Sequence, residues 1–432
     1  MRPGSNEMAG SGARGQQRQR SVVIVATLDT RGDEVVFLRE IIEARGHHVL
    51  SVDVGVMGQP FVRGDYTREA VAEAGGVPLQ QLVDAANAGA DRKQATDVMT
   101  AGARKIVQEL AAAGRLDGIM SLGGSTAAAI GASVMKGLPL GLPKLLVTTF
   151  LGLAPVGDED ITVMQSPVDL VGLNRIVGKT LANAAGALVG MIEQEVPDRA
   201  RRPLVGVTAL GVTTPAVQKV ISRLDRDGYD AIVFHAQTAK LDELTKAGVM
   251  DAIIDVTSFE TVPKTLYPLE ILAMLSGSAQ SNRDRLESAI ARGIPQIIAP
   301  GGLDMHIIPG TGIDAVPPEY RGRAWSMHGP NIVLVRTSRE DLEQVGRAIA
   351  ERANRATGPV KIMIPLRGYS DASREGAPLH DPDADRAFVR ALKRHLDPRV
   401  PVIELDCHIN DDAFANEVIN VFREITTKTE AK

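Results

Sequence analysis

Short apolar runs alternate with longer segments of helical period along almost the whole chain. Residues 22–26 form a continuous apolar run, the pattern of a strand buried on both faces, and further strands are expected at 48–54, 118–122 and 144–148. Between and after them, residues 33–45, 95–113, 126–135 and 170–194 carry helical stretches. In the first, Val36, Phe37, Ile41 and Ile42 make the apolar stripe and Gly46 stops it. A charged, proline-bounded stretch, 195–203, then breaks the pattern and the cycle starts again. Strands are expected at 204–209, 231–235, 252–256, 296–299, 332–335, 360–364 and 402–405. Helices are expected at 215–227, 282–292, 339–353, 382–395 and 411–426. Strand and helix in alternation mean parallel, doubly wound sheets. The expected fold is α/β, with two Rossmann-like doubly wound parallel-sheet domains facing a cleft. They occupy 21–198 and 199–432, behind a disordered extension, 1–20.

Composition narrows the function. The 432 residues are 44% apolar and 23% charged, ordinary for a globular chain. Forty-eight basic against fifty-three acidic residues give −5, so there is no bulk basic footprint for nucleic acid. No apolar stretch approaches the ~20 residues of a membrane helix. Cys407 is the only cysteine, which removes disulfides and Cys-rich zinc sites and fits a cytoplasmic protein. Forty-two glycines and 3% aromatics suit tight βα turns.

Those turns hold the candidate chemistry, because ligands of doubly wound folds sit at the carboxyl ends of the strands. LDTRGDE (28–34) places Asp29, Thr30 and Arg31 where the first strand meets its helix, a phosphate seat with a planar cation beside it. The same residues read equally as a capping box from Thr30 to Asp33. Asp53 ends the second strand, where an acidic residue binds a ribose hydroxyl or caps the following loop. No G-x-G-x-x-G precedes it, which disfavours a dinucleotide. In LGGST (122–126), Gly123 and Gly124 let backbone approach a ligand, and Ser125 and Thr126 supply hydroxyls at a helix start. The bland alternative is a tight turn capped by Ser125. No Walker lysine follows. Ser166 to Asp169 resembles another capping box, with Asn174 and Arg175 inside the helix behind it.

In the second half, GVTTP (211–215) offers Thr213 and Thr214 to an anion, with Thr214 a candidate helix cap before Pro215. His235 ends the next strand, and Asp304 lies in the glycine-flanked loop PGGLDMH (300–306). His328 would meet Asp304 only if its loop folds back. Arg367 is a candidate clamp for a carboxylate or phosphate. Asp406, His408 and Asp411 are metal-capable, but three such residues in one loop are weak evidence for a metal.

Together LDTRGDE, VDVGV, GLNRI with LANAAGALVGM, GVTTP, PGGLDM, HGPN and LDCHIND resemble the family of Tm-one-like ATP-binding proteins, named after a tomato mosaic virus resistance protein. The resemblance runs from about Ser21 to the last helix. It implies two Rossmann-like subdomains, ATP (with Mg2+ as a candidate companion) in the first, and a homodimer. Longer members carry a further barrel resembling phosphoenolpyruvate hydrolase, which implies metabolism of small carboxylic or phosphorylated acids. On this reading Asp29, Thr30, Arg31, Asp53, Gly123, Gly124, Ser125 and Thr126 bind the nucleotide. Thr213, Thr214 and Arg367 take a small acidic or phosphorylated metabolite, and His328, Asp304 and His235 are the catalytic candidates. Phosphoryl transfer, or cleavage of an activated acid, is the reaction class. Two rivals stand beside it: a nucleotide-independent carbon–carbon hydrolase or lyase, and a non-catalytic module in which nucleotide steadies a docking surface.

Overall fold

The computed structural model describes residues 19–88, 92–150, 156, 159–195, 202–235, 238–276 and 285–430. Most of the expected extension, and residues 196–201 of the proposed linker, lie outside them. Arg20 lies within: its guanidinium reaches Asp117 at 3.4 Å. The chain divides into two compact units, Met1–Asp198 and Arg199–Lys432.

The N-terminal unit runs β1 (Ser21–Ala26), α1 (Leu28–Glu43), β2 (His48–Asp53), α2 (Arg68–Ala74), α3 (Leu79–Asn87), α4 (Arg92–Ala112), β3 (Gly118–Gly123), α5 (Ser125–Met135), β4 (Lys144–Thr148), β5 (Thr162–Gln165) and α6 (Arg175–Glu193). Its five strands are parallel, in the order β2-β1-β3-β4-β5. Successive strand residues point to opposite faces, and β1 shows it. Val22, Ile24 and Ala26 enter the core under α1 and α6, whereas Val23 and Val25 enter the core under α4 and α5. That double burial is why the strand reads as an unbroken apolar run.

The C-terminal unit runs β6 (Leu204–Ala209), α7 (Thr214–Arg226), β7 (Asp230–His235), α8 (Ala239–Lys246), β8 (Ala252–Asp255), α9 (Thr261–Leu266), α10 (Leu269–Ser276), α11 (Glu287–Arg292), β9 (Gln296–Ile298), β10 (Met305–Pro309), β11 (Trp325–Met327), β12 (Ile332–Arg336), α12 (Arg339–Asn354), β13 (Val360–Pro365), α13 (Pro382–His395), β14 (Val402–Leu405) and α14 (Asp412–Glu430). Its main sheet is parallel, β14-β13-β9-β8-β6-β7. Both units are Rossmann-like α/β layers. In each, strand order reverses beside the first strand, between β1 and β3 and between β6 and β8, so crevices open there at the carboxyl ends.

Four expectations are corrected. Residues 332–335 do not join the parallel series: β12 is the centre of a separate antiparallel sheet, β10-β12-β11, because an apolar run encodes burial and not the identity of its partner. Helix α1 begins at Leu28 rather than 33, with only Arg31 departing from helical geometry (φ −132°, ψ 19°). Helix α6 begins at Arg175, capped by Asn174, whose Oδ1 accepts from Ile176 and Val177 at 2.9 and 3.0 Å. Ser166 caps nothing; its hydroxyl donates to the Val168 carbonyl.

Candidate functional site

The crevice between β1 and β3 gathers the N-terminal candidates, and the two helices flanking it differ in one decisive respect. The start of α1 is already filled. Asp53, buried at the end of β2, accepts from the Leu28 amide at 3.0 Å and from Gly55 at 2.9 Å through the same Oδ1. Burial pushes its carboxyl pKa up against those two amides. Asp29 Oδ2 accepts from the Gly58 amide at 3.0 Å, and a Cβ on Gly55 would stand 2.9 Å from the Asp29 carboxyl. Thr30 bonds back to Thr27, hydroxyl to hydroxyl at 2.6 Å, so no box from Thr30 to Asp33 forms. Asp53 thus takes the Leu28 amide of this turn, and Asp29 and Thr30 are engaged with Gly58 and Thr27. Asp29 Oδ1 is buried with no partner among the described residues.

Among the described residues, the start of α5 is open. Gly124, not Ser125, is the N-cap, and no side chain among the described residues caps the helix. Ser125 and Thr126 are exposed. The first amides of a helix have no partner inside it, and they carry the positive end of the dipole. The two glycines are there for different reasons. Gly123 has φ +146°, and a Cβ on it would come within 2.5 Å of the Ala127 Cβ, so the fold requires glycine. Gly124 has ordinary extended geometry (φ −76°, ψ −165°), and a Cβ there would meet nothing nearer than Thr149 Oγ1 at 3.9 Å. The fold would accept serine or aspartate at 124, both better caps than glycine.

Across the crevice Arg31 is largely buried. Its Nη1 donates to the Thr30 carbonyl at 3.0 Å and its Nη2 to the exposed Asp169 at 3.3 Å, while its buried Nε has no partner among the described residues. At the end of β2 lies a cavity of about 500 Å³ lined by Asp53, Pro60, Arg63, Gly64, Thr67, Arg68 and Glu69. Arg68 and Glu69 also line a neighbouring groove of about 730 Å³ with Met57, Val77 and Leu79.

The C-terminal crevice is closed by its own side chains. Thr213 is buried, bonded to the Thr257 hydroxyl at 2.7 Å and to Leu210. Thr214 donates to the Leu210 carbonyl at 3.0 Å. Asn410 Oδ1 accepts from the Ala216 amide at 3.1 Å, filling the first turn of α7. Asp304 is buried and accepts from the Ser370 hydroxyl. His328 is exposed, with Nε2 3.6 Å from where a Gly211 Cβ would lie; it is not among the hydrogen-bond partners of Asp304. His235 is exposed at the end of β7. Arg367 lies on the surface in a two-bond pair with Asp406, 2.7 Å each.

Three buried clusters go beyond the sequence motifs: His306 and His408 lie in PGGLDMH and LDCHIND, but their partners Tyr267, Asp341 and Ser370, and the Asp255 cluster as a whole, do not appear there. Asp255, at the end of β8, holds the Arg285 guanidinium (Nη2 to Oδ1, 2.6 Å) and accepts from Thr208 and Ser258 at 2.7 Å each, with Arg352 at 3.6 Å. Burial opposes its charge, but the adjacent guanidiniums win and hold its pKa below the ordinary value. Burial, then repulsion from Arg285, pulls Arg352 down to about 10. His306 lies between Tyr267 (Nδ1 to hydroxyl, 3.0 Å) and Asp341 (Nε2 to Oδ2, 3.1 Å), stacked on Tyr320 with ring centres 4.6 Å apart. His408 Nδ1 accepts from the Asn410 amide at 3.1 Å, so its proton sits on Nε2, facing the Ser370 carbonyl at 3.0 Å. One signal is present in the sequence: Asp255 closes an apolar run as Asp53 does. Its partners Arg285 and Arg352 are too distant along the chain to form a pattern with it. Among the described residues, no group of three or more His, Cys, Asp or Glu is placed to hold a metal ion. No helix among them is long and apolar enough to cross a membrane.

Two tandem Rossmann-like units, with polar turns at the carboxyl ends of their strands, define an α/β protein of the doubly wound, parallel-sheet class. Residues 20–197 match the profile described as the uncharacterised protein family (UPF0261) N-terminal domain, and residues 202–426 match its C-terminal domain. The chain belongs to that family. It is 35% identical to a UPF0261 protein of Clostridium tetani, covering 92% of this chain and 96% of that one. Identity is 34% to a relative in Mesorhizobium japonicum, at 92% and 98% coverage. The ToMV resistance protein Tm-1(GCR237) of Solanum lycopersicum is 27% identical over 96% of this chain but only 57% of its own length. The resemblance drawn from the motifs therefore holds for the family and for this tomato relative. ATP binding is not part of what these matches carry.

Proposed function

We propose that the N-terminal unit binds ATP, or a related phosphorylated ligand, with its phosphates against the first turn of α5. The observation that carries the reading is Gly124: a residue free to be a capping side chain is instead the one that leaves the helix start open. Arg31, with a buried and unpartnered Nε, supports it from the other wall of the crevice. Asp29, Thr30 and Asp53 Oδ1 serve the α1 turn, so the phosphate seat shifts from the first glycine turn to the second. Mg2+ would enter with the nucleotide.

Titration calorimetry with ATP, with and without Mg2+, tests this on wild-type protein and on Gly124→Asp. The new carboxylate would cap α5 itself and repel a phosphate. Its melting temperature should hold or rise while ATP affinity falls at least about tenfold. A wild-type protein that binds neither ATP nor inorganic triphosphate at millimolar concentration, or a variant that binds ATP unchanged, ends the reading.

A second reading is favoured by a specific observation. Phe61, Phe150, Val171, Leu173 and Ile176 are exposed large apolar side chains on turns and helix starts at this end of the N-terminal unit. Phe61 and the 170–174 loop are pinned to the first turns of α1, through Leu28 O to Phe61 N (3.0 Å) and Glu34 to the Gly172 amide (2.8 Å). An apolar rim around a ligand site suits a module whose ligand steadies a docking surface. The enzymatic reading, a cytoplasmic homodimer acting on a small acidic metabolite, has less support, because Thr213, Thr214, Asp304 and Arg367 are already engaged within the chain.

A further inference from the structure

We infer that the outer edge of β7 docks an extended segment of another protein, which joins the six-stranded sheet of the C-terminal unit as a further strand. This inference is independent of the ligand reading. β7 ends that sheet, and among the described residues it pairs only with β6. Along a parallel strand, residues alternate between the two edges, each turning its N–H and C=O to the same side. The Asp230 amide donates inward, to the Pro203 carbonyl at 3.0 Å. Residues 230, 232 and 234 therefore face β6, and Ala231, Val233 and His235 turn their backbone groups outward. No hydrogen bond from the described residues reaches those outward groups. Such an edge is a template for another chain.

The other three edges of the two parallel sheets show what β7 lacks. On β2 the outward groups are taken. Arg39 donates to the Val49 carbonyl at 3.0 Å, and Asp65 accepts from the Ser51 amide at 2.8 Å. The Tyr66 amide and carbonyl bond Ser51 and Asp53 at 2.9 and 3.0 Å. β5 and β14 are short, four residues each. On β14 the Leu405 carbonyl faces inward, to the Leu366 amide, so the outward pair is Val402 and Glu404, whose charge discourages pairing. β7 is DAIVFH, six residues with neither proline nor lysine. Val233 at its centre is 44% exposed. Three outward residues, each about 7 Å from the next and each offering a donor and an acceptor, match the backbone of another strand. An apolar side chain fits opposite Val233. Ile232 and Phe234, packed on the other face against Leu241 and Leu244, extend that preference. A second copy fits less well. Antiparallel pairing centred on Val233 would set Ala231 of each chain opposite His235 of the other, a methyl against an imidazole.

The probe is a capped peptide of alternating threonine and valine with a lysine at each end. Its control is methylated on every central amide and cannot donate. By fluorescence anisotropy the full chain should bind the probe and not the control. On binding, hydrogen exchange read by NMR should slow at the Ala231, Val233 and His235 amides. It should stay unchanged at 230, 232 and 234, which already bond β6. Val233→Pro removes one outward amide and leaves the β6 ladder intact, and Val233→Lys sets a charge where an apolar pair should form. Edge positions tolerate both, and circular dichroism checks the fold. Each variant should weaken the probe at least about tenfold. A wild-type chain that leaves the probe unbound at about 1 mM, unchanged affinity in both variants, or slowed exchange confined to other segments overturns the inference. So does sedimentation showing a wild-type dimer that Val233→Lys dissolves, which assigns the edge to a second copy.

Discussion

The Ser370 hydroxyl donates to Oδ2 of Asp304, and both side chains are wholly buried at the ends of neighbouring turns. Oδ1 of the same carboxylate has no partner among the described residues, so the carboxyl has one hydrogen-bond donor, with the Arg336 guanidinium as its neighbouring cation. Ser370→Ala should cost about 1–3 kcal/mol in urea unfolding, the penalty for stripping a buried acceptor. Asp304→Asn in that background should recover part of it. A double-mutant cycle between Asp304 and His328 should show no coupling; coupling above about 0.5 kcal/mol would mean that the two side chains meet after all.

How much of this is legible in the sequence depends on the range of the interaction. Strands such as β1 declare themselves because each residue is buried on one face or the other, and the local run shows it. Helix starts are harder. Thr30 and Asp33 spell a cap by composition, yet the amide that most needs a partner, Leu28, takes Asp53 from another strand. The apolar run at 332–335 is visible as a strand but not as an antiparallel one, since pairing with β10 and β11 is a tertiary choice. LGGST reads as one motif, whereas its two glycines do separate jobs that only backbone angles distinguish. Asp255, His306 and His408 each sit in a segment the sequence marks, but their partners Arg285, Asp341 and Ser370 come from distant turns and leave no local signature.

The two glycines should respond oppositely to one substitution. Gly123→Ser forces a side chain into φ +146° and against Ala127, and should cost about 1–3 kcal/mol. Gly124→Ser places a good cap in open space and should shift stability by less than about 0.5 kcal/mol, or raise it. Thermal denaturation of the pair decides. Equal destabilisation would mean that Gly124 is also a demand of the fold.

His408 should make stability depend on pH. Burial, the largest influence, pushes its pKa below the ordinary 6.5. The folded protein then holds it neutral where the unfolded chain would protonate it, so the unfolded state binds more protons and stability rises with pH. The contribution is present above about pH 6.5 and is lost as pH falls from there through the folded pKa. Urea midpoints between about pH 5 and 8 should climb, and His408→Gln should flatten the climb. A wild-type midpoint constant across that window would remove His408 from the account.

The Asp255–Arg285 pair should be the most sensitive point in the C-terminal unit. Both side chains are buried, with Arg352 3.6 Å away as the remaining cation. Arg285→Met leaves the carboxylate with one distant countercharge, and breaking such a pair costs about 3–5 kcal/mol. The loss should be largest near pH 8 and smaller near about pH 5. Without Arg285 the buried carboxyl titrates higher, and protonating it relieves the penalty. Wild type runs the other way: its depressed Asp255 pKa gives stability that is kept above the ordinary value near 3.8 and lost only as pH falls below it. Adding Asp255→Asn to Arg285→Met removes the orphaned charge while keeping an acceptor for Thr208, and should restore at least half of the loss. A single-variant cost below about 1 kcal/mol, equal at both pH values, would show that water reaches this pair.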